Sequence, residues 1–289
     1  MNLKIAFRNI RKNKGFSIIN ISSLALGITC FLLLLAYVYH ELSYDKYLPN
    51  SERISMLTVA VKSAEDKDFN YWSVTPTAVA PALEKEFPEI EKAVRMYNYN
   101  RSALIQQGNE SIKEGGLKFV DEDFFKVLDY KVIEGNATTP FANPNDIVLT
   151  EKLAKKYFPA ENAIGKTIVI DKTPWTVSAI IEDLPTYTEI EFSGLLSNKG
   201  LERYKEPVWH SANDVTFVLF KENADQLASQ TKLDVYINEI FKDKVDAGVT
   251  RKINMENIES IHLHSKAAGS GNITYLYIRR ALQVSLQSL

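Results

Sequence analysis

Residues 16–39 have the sequence FSIINISSLALGITCFLLLLAYVY, which contains no charged side chain. A transmembrane helix needs about 20 predominantly apolar residues, so this segment is long enough to cross a bilayer. The first 39 residues contain no Asp or Glu, and five cations precede the apolar segment: Lys4, Arg8, Arg11, Lys12 and Lys14. Because Lys and Arg mark the cytoplasmic flank of a membrane span, we expect residues 16–39 to form a transmembrane helix with its N-terminus inside.

A cleaved signal peptide and a buried core helix are the two alternatives for this segment. The apolar part of a signal peptide is typically 7–15 residues long and ends in small residues. Here the run is longer and ends in Ala36-Tyr37-Val38-Tyr39-His40. A core helix would leave the five preceding cations unexplained. The sequence therefore favours an uncleaved anchor, with an extracytoplasmic domain after it.

The remaining residues differ from this segment in charge. Of the 34 cations and 36 acidic residues in the chain, five cations and no acids lie before residue 40, which leaves residues 40–289 with 29 cations, 36 acids and a net charge of −7. That balance argues against a nucleic-acid partner, which requires a basic face. The single cysteine, Cys30, lies inside the predicted span. The domain must therefore be stabilised by a packed core and not by disulfides.

Residues 1–15 are predicted to be a cytoplasmic basic segment. Leu3, Ala6, Phe7 and Ile10 share one face at helical spacing within residues 3–13. Such a helix would lie in the inner membrane interface with its cations on lipid headgroups. A plain basic flank without that helix is the open alternative.

Small and polar residues recur along one face of the predicted span. Asn20, Ser23, Gly27 and Cys30 are spaced three, four and three residues apart. Small residues at this spacing allow membrane helices to approach closely. We therefore predict that Asn20, Ser23 and Gly27 contact other membrane helices. A lone anchor that tolerates a few polar residues is the alternative.

The exported part has the pattern of an α+β fold. Predicted strands cover residues 53–61, 94–99, 103–106, 116–120, 147–150, 167–170, 175–181, 215–220, 253 and 258–263. Thr75-Pro76 is predicted to open a helix that Pro88 ends. Asp121 and Thr150 are predicted to cap two short helices, and a longer helix is predicted over residues 224–241. The outer pieces share a strand–helix–strand order, which the middle block interrupts.

Several motifs together resemble permease subunits of the MacB/FtsX-like class of ABC transporters. The N-terminal motifs are Phe7-Arg8-Asn9-Ile10-Arg11-Lys12-Asn13-Lys14, Phe16-Ser17-Ile18-Ile19-Asn20 and Glu41-Leu42-Ser43-Tyr44-Asp45. The later motifs are Val148-Leu149-Thr150-Glu151-Lys152-Leu153-Ala154-Lys155-Lys156-Tyr157-Phe158, Ile164-Gly165-Lys166 and Gly271-Asn272-Ile273-Thr274-Tyr275.

The resemblance implies a single N-terminal transmembrane helix followed by a two-lobed mixed α/β domain in the periplasm. A discontinuous porter-like lobe would comprise residues 40–100 and 210–270, and a sabre-like lobe, residues 101–209, would be inserted into it. Family permeases continue with three further membrane helices, and the loop that contacts the ATPase lies among them. In this chain residues 271–289 form a polar tail instead, so we expect either a truncated or frameshifted gene or a sequence that was cut at this point.

Catalytic motifs are weak in this sequence. Gly165-Lys166-Thr167 ends like a P-loop, but Ala160 stands where the first glycine belongs and the next residues are predicted to be a strand and not a helix. A turn with Gly165 in a left-handed conformation is the preferred interpretation. His262 and His264 would share a face of a predicted strand, although no third metal ligand is evident nearby. We therefore expect no enzyme activity, no cofactor and no metal site.

The function predicted from the resemblance is that of an ABC-transporter permease in the inner membrane. Its periplasmic domain would transmit ATPase-driven motion or dock envelope partners, in export of lipoproteins, peptides or drugs. The expected partners are membrane lipid, a cytoplasmic ABC ATPase, a second permease and a periplasmic protein. The alternative is a stand-alone single-pass extracytoplasmic binding or sensor module. A third possibility, an exported hydrolase, has no supporting motif.

Overall fold

The computed structural model describes residue 8 and residues 11–99, 102–107, 110–242 and 249–267. The chain divides into two units, one containing residues 1–43 and 274–289 and the other residues 44–273. The predicted tail, residues 271–289, and the Gly271–Tyr275 motif lie outside the described residues.

The first unit contains one long helix, α1 (Lys14–Glu41), which has no buried residue. Among the described residues it is the one helix that is long and apolar enough to cross a membrane. Its apolar side chains are exposed, for example Leu24 and Leu33. In water this exposure would be costly, because burying a Leu side chain is worth about 1.5–3 kcal/mol. The predicted apolar span is therefore confirmed as a helix with a lipid-compatible surface.

The second unit is built on one mixed sheet, to which fourteen strands of the described residues contribute. Six strands come from the outer pieces of the chain: β1 (Ile54–Lys62), β2 (Asn70–Trp72), β3 (Thr75–Pro76), β4 (Ile90–Asn98) and, after the middle block, β13 (Ala212–Phe220) and β14 (Thr250–Asn257). The middle block supplies β5 (Ala103–Gln107), β6 (Glu110–Glu114), β7 (Leu117–Val120), β8 (Val132–Gly135), β9 (Asp146–Thr150), β10 (Thr167–Ile170), β11 (Thr173–Ile181) and β12 (Gly194–Ser197). The main order is β14-β1-β13-β4-β7-β12-β9-β11-β10-β5-β6.

Two of these strand pairs are parallel, β9 with β11 and β7 with β12, and the other pairs recorded in the sheet are antiparallel. The sheet passes without interruption from the outer strands to the middle block, because Met96 of β4 pairs with Val120 of β7. The division into two lobes at residues 100 and 210 stays a prediction.

Helices cover the sheet where its strands are most apolar. Helix α2 (Val79–Glu86) buries Val79, Ala80 and Leu83 in a core shared with the outer strands. In the middle block, α3 (Phe124–Leu128) and α4 (Glu151–Tyr157) bury Phe124 and Leu153. Helix α4 begins as predicted, since the Thr150 hydroxyl accepts the Leu153 N–H at 3.3 Å. Two helices follow β13 and β14 respectively, α5 (Gln226–Phe241) and α6 (Ile258–His264).

Three local predictions were wrong. Thr75–Pro76 is a strand and not a helix start, because the Thr75 hydroxyl donates to the Asp214 carbonyl at 3.1 Å and binds the Thr216 hydroxyl at 2.7 Å. Residues 258–263 belong to α6 and not to a strand, because the Asn257 side chain caps this turn by accepting the Glu259 N–H at 3.0 Å.

The third wrong prediction is the cap at Asp121. Its carboxylate does not cap α3 but receives the Arg95 Nε and Nη2 donors at 2.9 and 2.8 Å. The Asn198 amide also donates to it at 2.6 Å. The carboxylate thus ties β4 to the loop after β7, in a two-donor geometry that is stronger than a single hydrogen bond.

Candidate functional site

The residues that follow helix α1 enter a buried polar cluster in the second unit. We call five of its members the Asp45 cluster: Tyr44, Asp45, Thr188, Glu189 and His262. The cluster brings together three segments that are far apart in sequence: residues 44–47, residues 187–190 and helix α6. Tyr44 and Asp45 lie three and four residues after the last residue of α1.

Asp45 is at the centre of this cluster and is completely buried. Its carboxylate accepts the Thr188 hydroxyl at 2.5 Å and the Glu189 N–H at 3.2 Å. Its own N–H donates to the Tyr187 carbonyl at 3.1 Å, and its φ of +56° places it in the left-handed region that Asp tolerates. Burial raises the pKa of Asp45 to about 6, and the two hydrogen bonds oppose part of that rise.

His262 connects helix α6 to the same cluster. Its Nδ1 lies 2.6 Å from a Glu189 carboxylate oxygen, and its side chain is only 4% exposed. The Tyr44 ring stacks on the imidazole, with ring centroids 3.4 Å apart and planes 6° from parallel. Helix α6 is therefore held both by the residue that follows the anchor and by the segment of Glu189.

The Thr188 hydroxyl links the cluster to neighbouring aromatic residues. It accepts the Ile190 N–H at 3.1 Å and the Tyr47 hydroxyl at 3.3 Å. Burial raises the pKa of Tyr47 to about 12, so this phenol stays protonated and remains a donor. Tyr47 also packs edge-on against Tyr187, with ring centroids 6.0 Å apart. The arrangement is a buried, hydrogen-bonded support with the Asp45 carboxyl at its centre.

A second charged cluster lies between β4 and β13. Asp214 is fully buried, accepts an Arg203 guanidinium N–H at 2.9 Å and accepts the Tyr204 hydroxyl. Burial raises the pKa of Asp214. The Arg203 guanidinium also lies 4.0 Å from the centre of the Tyr97 ring, a cation–π contact. These contacts fix the loop before β13.

The predicted interface cations lie in the first unit. Arg8, Arg11, Lys12 and Lys14 are exposed, and Lys4 lies outside the described residues. Arg8, Arg11 and Lys12 are helical, and Asn13 interrupts the helix with a φ of −116° and a ψ of 57° before α1 begins. Binding of these cations to lipid stays a prediction.

The predicted packing face Asn20, Ser23 and Gly27 lies along α1 and is exposed. The Ser23 hydroxyl donates to the Ile19 carbonyl at 2.8 Å, so its own helix satisfies it. A Cβ added at Gly27 would meet no atom within 4 Å. The face is therefore open for close approach, and contact with another membrane helix stays a prediction.

The structure separates the two histidines considered as metal ligands. They lie two residues apart on α6, which places them on different sides of a helix. His262 belongs to the Asp45 cluster, whereas the His264 ring lies 3.3 Å from the Ser260 carbonyl. The expectation that both histidines share one face of a strand was therefore wrong. The described residues contain no group of three or more His, Cys, Asp or Glu side chains placed to hold a metal ion.

The P-loop-like motif is a turn before a strand, as the sequence predicted. Gly165 has a φ of +76° and donates its N–H to the Val177 carbonyl at 2.8 Å. Lys166 forms an ion pair with Glu161 at 2.7 Å, and strand β10 follows directly. The N–H groups that would cradle a phosphate in a P-loop are thus directed elsewhere.

The sequence analysis singled out three residues of the Asp45 cluster but did not predict that they lie together. Tyr44 and Asp45 belong to the motif after the span, and His262 was considered as a metal ligand. Thr188 and Glu189 carry no motif. Only the structure shows that Asp45 is buried and therefore needs hydrogen-bond donors from elsewhere in the chain.

A family comparison assigns this architecture. Residues 17–234 match the family model of the MacB-like periplasmic core domain. The chain belongs to that family. It thus carries the periplasmic core domain of a MacB-like ABC-transporter permease, and the resemblance inferred from its motifs is confirmed.

Two solved structures share the MacB-like fold. One is a domain of a protein described as a permease from Porphyromonas gingivalis, with a TM-score of 0.60 and 18% identity over 80% of this chain and 98% of that one. The other is the periplasmic region of MacB from Actinobacillus actinomycetemcomitans, with a TM-score of 0.50 and 17% identity over 71% of this chain and 90% of that one. They confirm the mixed α/β fold.

A curated relative is the macrolide export ATP-binding/permease protein MacB of Aggregatibacter actinomycetemcomitans. It is 30% identical over 89 residues, which is 30% of this chain. The matched part spans only 14% of the length of that relative.

Proposed function

We propose that the MacB-like domain of this chain transmits conformational change between a membrane-embedded transporter and the periplasm. The observation that carries this proposal is the Asp45 cluster. It connects residues directly after α1 to helix α6 through the Tyr44–His262 stack and the His262–Glu189 contact. A displacement of Tyr44 would therefore be passed to α6 through direct side-chain contacts.

The same proposal includes the membrane arrangement. Helix α1 anchors the chain in the inner membrane, its N-terminus is cytoplasmic, and a separate ABC ATPase supplies the energy. The cation excess before α1 supports this orientation, since Lys and Arg favour the cytoplasmic side. Protease added outside spheroplasts should digest the domain and spare a tag at the N-terminus. Protection of the domain would contradict this orientation.

A fluorescent label on α6 tests the transmission. In a Cys30→Ser background, His264→Cys places one label at an exposed position of α6, and Lys113→Cys places a control label on the edge strand β6. The assembled transporter with its ATPase would be reconstituted in nanodiscs. We expect ATP with vanadate to change the emission at position 264 but not at position 113.

The Asp45 cluster is tested by combining this label with Tyr44→Ala. Removing the stacked ring should weaken the ATP-dependent change at position 264 while the ATPase remains bound to the transporter. A full response in the variant would show that the Asp45 cluster does not carry the motion. No response in the parent protein, with an active ATPase, would overturn the proposed function itself.

A further inference from the structure

An open groove continues the core of the outer strands beyond the end of helix α5. In the strand register, Val59 of β1 lies opposite both Ile253 of β14 and Trp72 of β2. Leu57 lies two residues earlier on the same face and is buried beneath α5. Because α5 ends at Phe241, the described helices leave the next part of this face uncovered. A cavity of about 300 Å³ lies over it.

Aromatic side chains form the walls of this groove. Trp209 packs edge-on against Phe241, with ring centroids 6.1 Å apart and planes 88° from parallel. Trp72 lies at the rim and is 46% exposed. An exposed indole beside an apolar floor is typical of a ligand or partner site, because isolated domains rarely leave large contiguous apolar surfaces open.

Arg251 supplies the positive charge of the groove. It lies opposite Val61 in the register, and its guanidinium carbon is 5.1 Å from the centre of the Phe241 ring. Among the described residues no carboxylate lies within 4.0 Å of this guanidinium. Residues 40–289 contain 36 acids and only 29 cations, so an arginine that pairs with none of the carboxylates in the described part of the chain is unexpected. A second cavity, of about 450 Å³, adjoins the groove at Trp209 and Arg251.

We propose that this groove binds a long-chain carboxylate of the fatty-acid class. The carboxylate would pair with Arg251, whose planar fork of donors fits its two oxygens. The acyl chain would lie on Val59, Ile253 and Trp72. Small-molecule sites are typically concave, mainly apolar and about 300–1,000 Å³ in volume, with few polar groups. An extended peptide fits less well, since its N–H and C=O groups would lose water over an apolar floor.

Tryptophan fluorescence offers a direct test on the full chain in nanodiscs of zwitterionic lipid. The chain has three tryptophans, and two of them, Trp72 and Trp209, line the groove. Trp175 is buried in a different core cluster. The probe is ω-bromododecanoate, whose bromine quenches indoles at close range. We expect saturable quenching that unlabelled dodecanoate reverses.

The head group and the guanidinium are tested separately. The neutral ω-bromododecanol should bind on the order of tenfold more weakly, because it lacks the charge that Arg251 binds. Arg251→Gln should weaken binding of the bromododecanoate by a similar factor and leave binding of the alcohol unchanged. Lys252→Gln is the matched control, since Lys252 is exposed and lies 5.5 Å from the Phe69 ring, on the other face of the strand.

Three outcomes would overturn the proposal. One is equal affinity of the parent chain for the acid and the alcohol, a comparison that needs no variant to fold. Another is equal weakening by Arg251→Gln and Lys252→Gln. The third is displacement of the probe by an apolar peptide but not by dodecanoate, which would assign the groove to a polypeptide.

Discussion

The Tyr44 ring lies flat on the imidazole of His262, with ring centroids 3.4 Å apart, although the two residues are 218 positions apart in sequence. Tyr44 lies three residues after the end of α1, and His262 lies on α6. Such a contact can form only when the first and last described parts of the second unit have folded together. Its loss should therefore affect the whole unit and not a single loop.

A double-mutant cycle measures this stack. Tyr44→Ala and His262→Ala should each destabilise the folded chain, and their combined effect should be smaller than the sum of the two. Aromatic pairs contribute about 0.5–1.5 kcal/mol beyond the area that they bury, so we expect a coupling energy of about 1 kcal/mol. Denaturant unfolding of the four chains provides the measurement. Strict additivity would show that the stacked geometry contributes nothing.

Asp45 predicts a pH dependence of stability. Burial raises its pKa from 3.8 to about 6, so the folded chain holds this proton more tightly than the unfolded chain. Its stabilising contribution is full below pH 3.8 and is lost as the pH rises through about 6. A change of about two pKa units corresponds to roughly 3 kcal/mol.

Asp45→Asn should remove that dependence, because the amide cannot ionise. The stability of the variant relative to the parent chain should therefore rise between about pH 4 and pH 7. Thermal or denaturant unfolding across this range provides the measurement. Asp68→Asn is a control at an exposed carboxylate. Parallel pH profiles for the parent chain and Asp45→Asn would refute the prediction.

Local patterns predicted those parts of the fold that depend on local contacts. Strand β10 (Thr167–Ile170) was predicted with its exact bounds, and the Thr150 cap was confirmed. Strand β12 has the sequence Gly-Leu-Leu-Ser, is buried on both faces and shows no alternation, so it was missed. Residues 258–263 have a strand-like pattern, yet the side chain of Asn257 starts a helix there.

The candidate site was harder to predict than the fold, because it is formed by contacts between residues that are far apart in the sequence. Asp45 obtains its hydrogen bonds from Thr188 and Glu189, more than 140 residues away. No periodicity links such positions, and a Thr-Glu pair is common on ordinary surfaces. The groove is similar, because Arg251 is distinctive only once the strand register places it beside Val61. Both sites form through contacts between residues that are distant in sequence, and local sequence patterns do not predict such contacts.

Gly135 should tolerate no side chain. Its φ is +89°, and an added Cβ would lie 2.4 Å from the Ser178 carbonyl oxygen. Gly135→Ala should destabilise the chain by about 1–3 kcal/mol through strain in the β8–β11 pair. Gly200→Ala is the matched control, since its Cβ would approach no atom closer than 3.7 Å. Equal melting temperatures for the two variants would contradict this account.

The purified chain should neither bind nor hydrolyse ATP. The Gly165 N–H donates to Val177 and the Lys166 N–H donates to Ala163 at 3.0 Å, so neither is free to cradle a phosphate. A fluorescent ATP analogue should show no saturable binding, and Lys166→Ala should change nothing. ATP turnover that persists through purification and disappears in Lys166→Ala would be the contrary result.

The face of Asn20, Ser23 and Gly27 predicts a selective effect on assembly. Both Gly27 and Leu33 are exposed on α1 in the isolated chain, so substitution of either should leave the helix itself intact. In a bilayer, helices associate through close packing of small residues and interhelical hydrogen bonds. Gly27→Leu adds a bulky side chain where a neighbouring helix would approach most closely. Leu33→Ile retains both the size and the apolar character of the side chain.

The measurement is recovery of the ATPase with a tagged permease in mild detergent, using the transporter that contains the later membrane helices. Gly27→Leu should reduce the recovered ATPase and its coupled turnover severalfold, and Leu33→Ile should leave both near the parent level. The contrast between the two substitutions is decisive, because each changes an exposed apolar position of the same helix. Equal recovery with both would mean that this face meets lipid alone and that α1 acts only as an anchor.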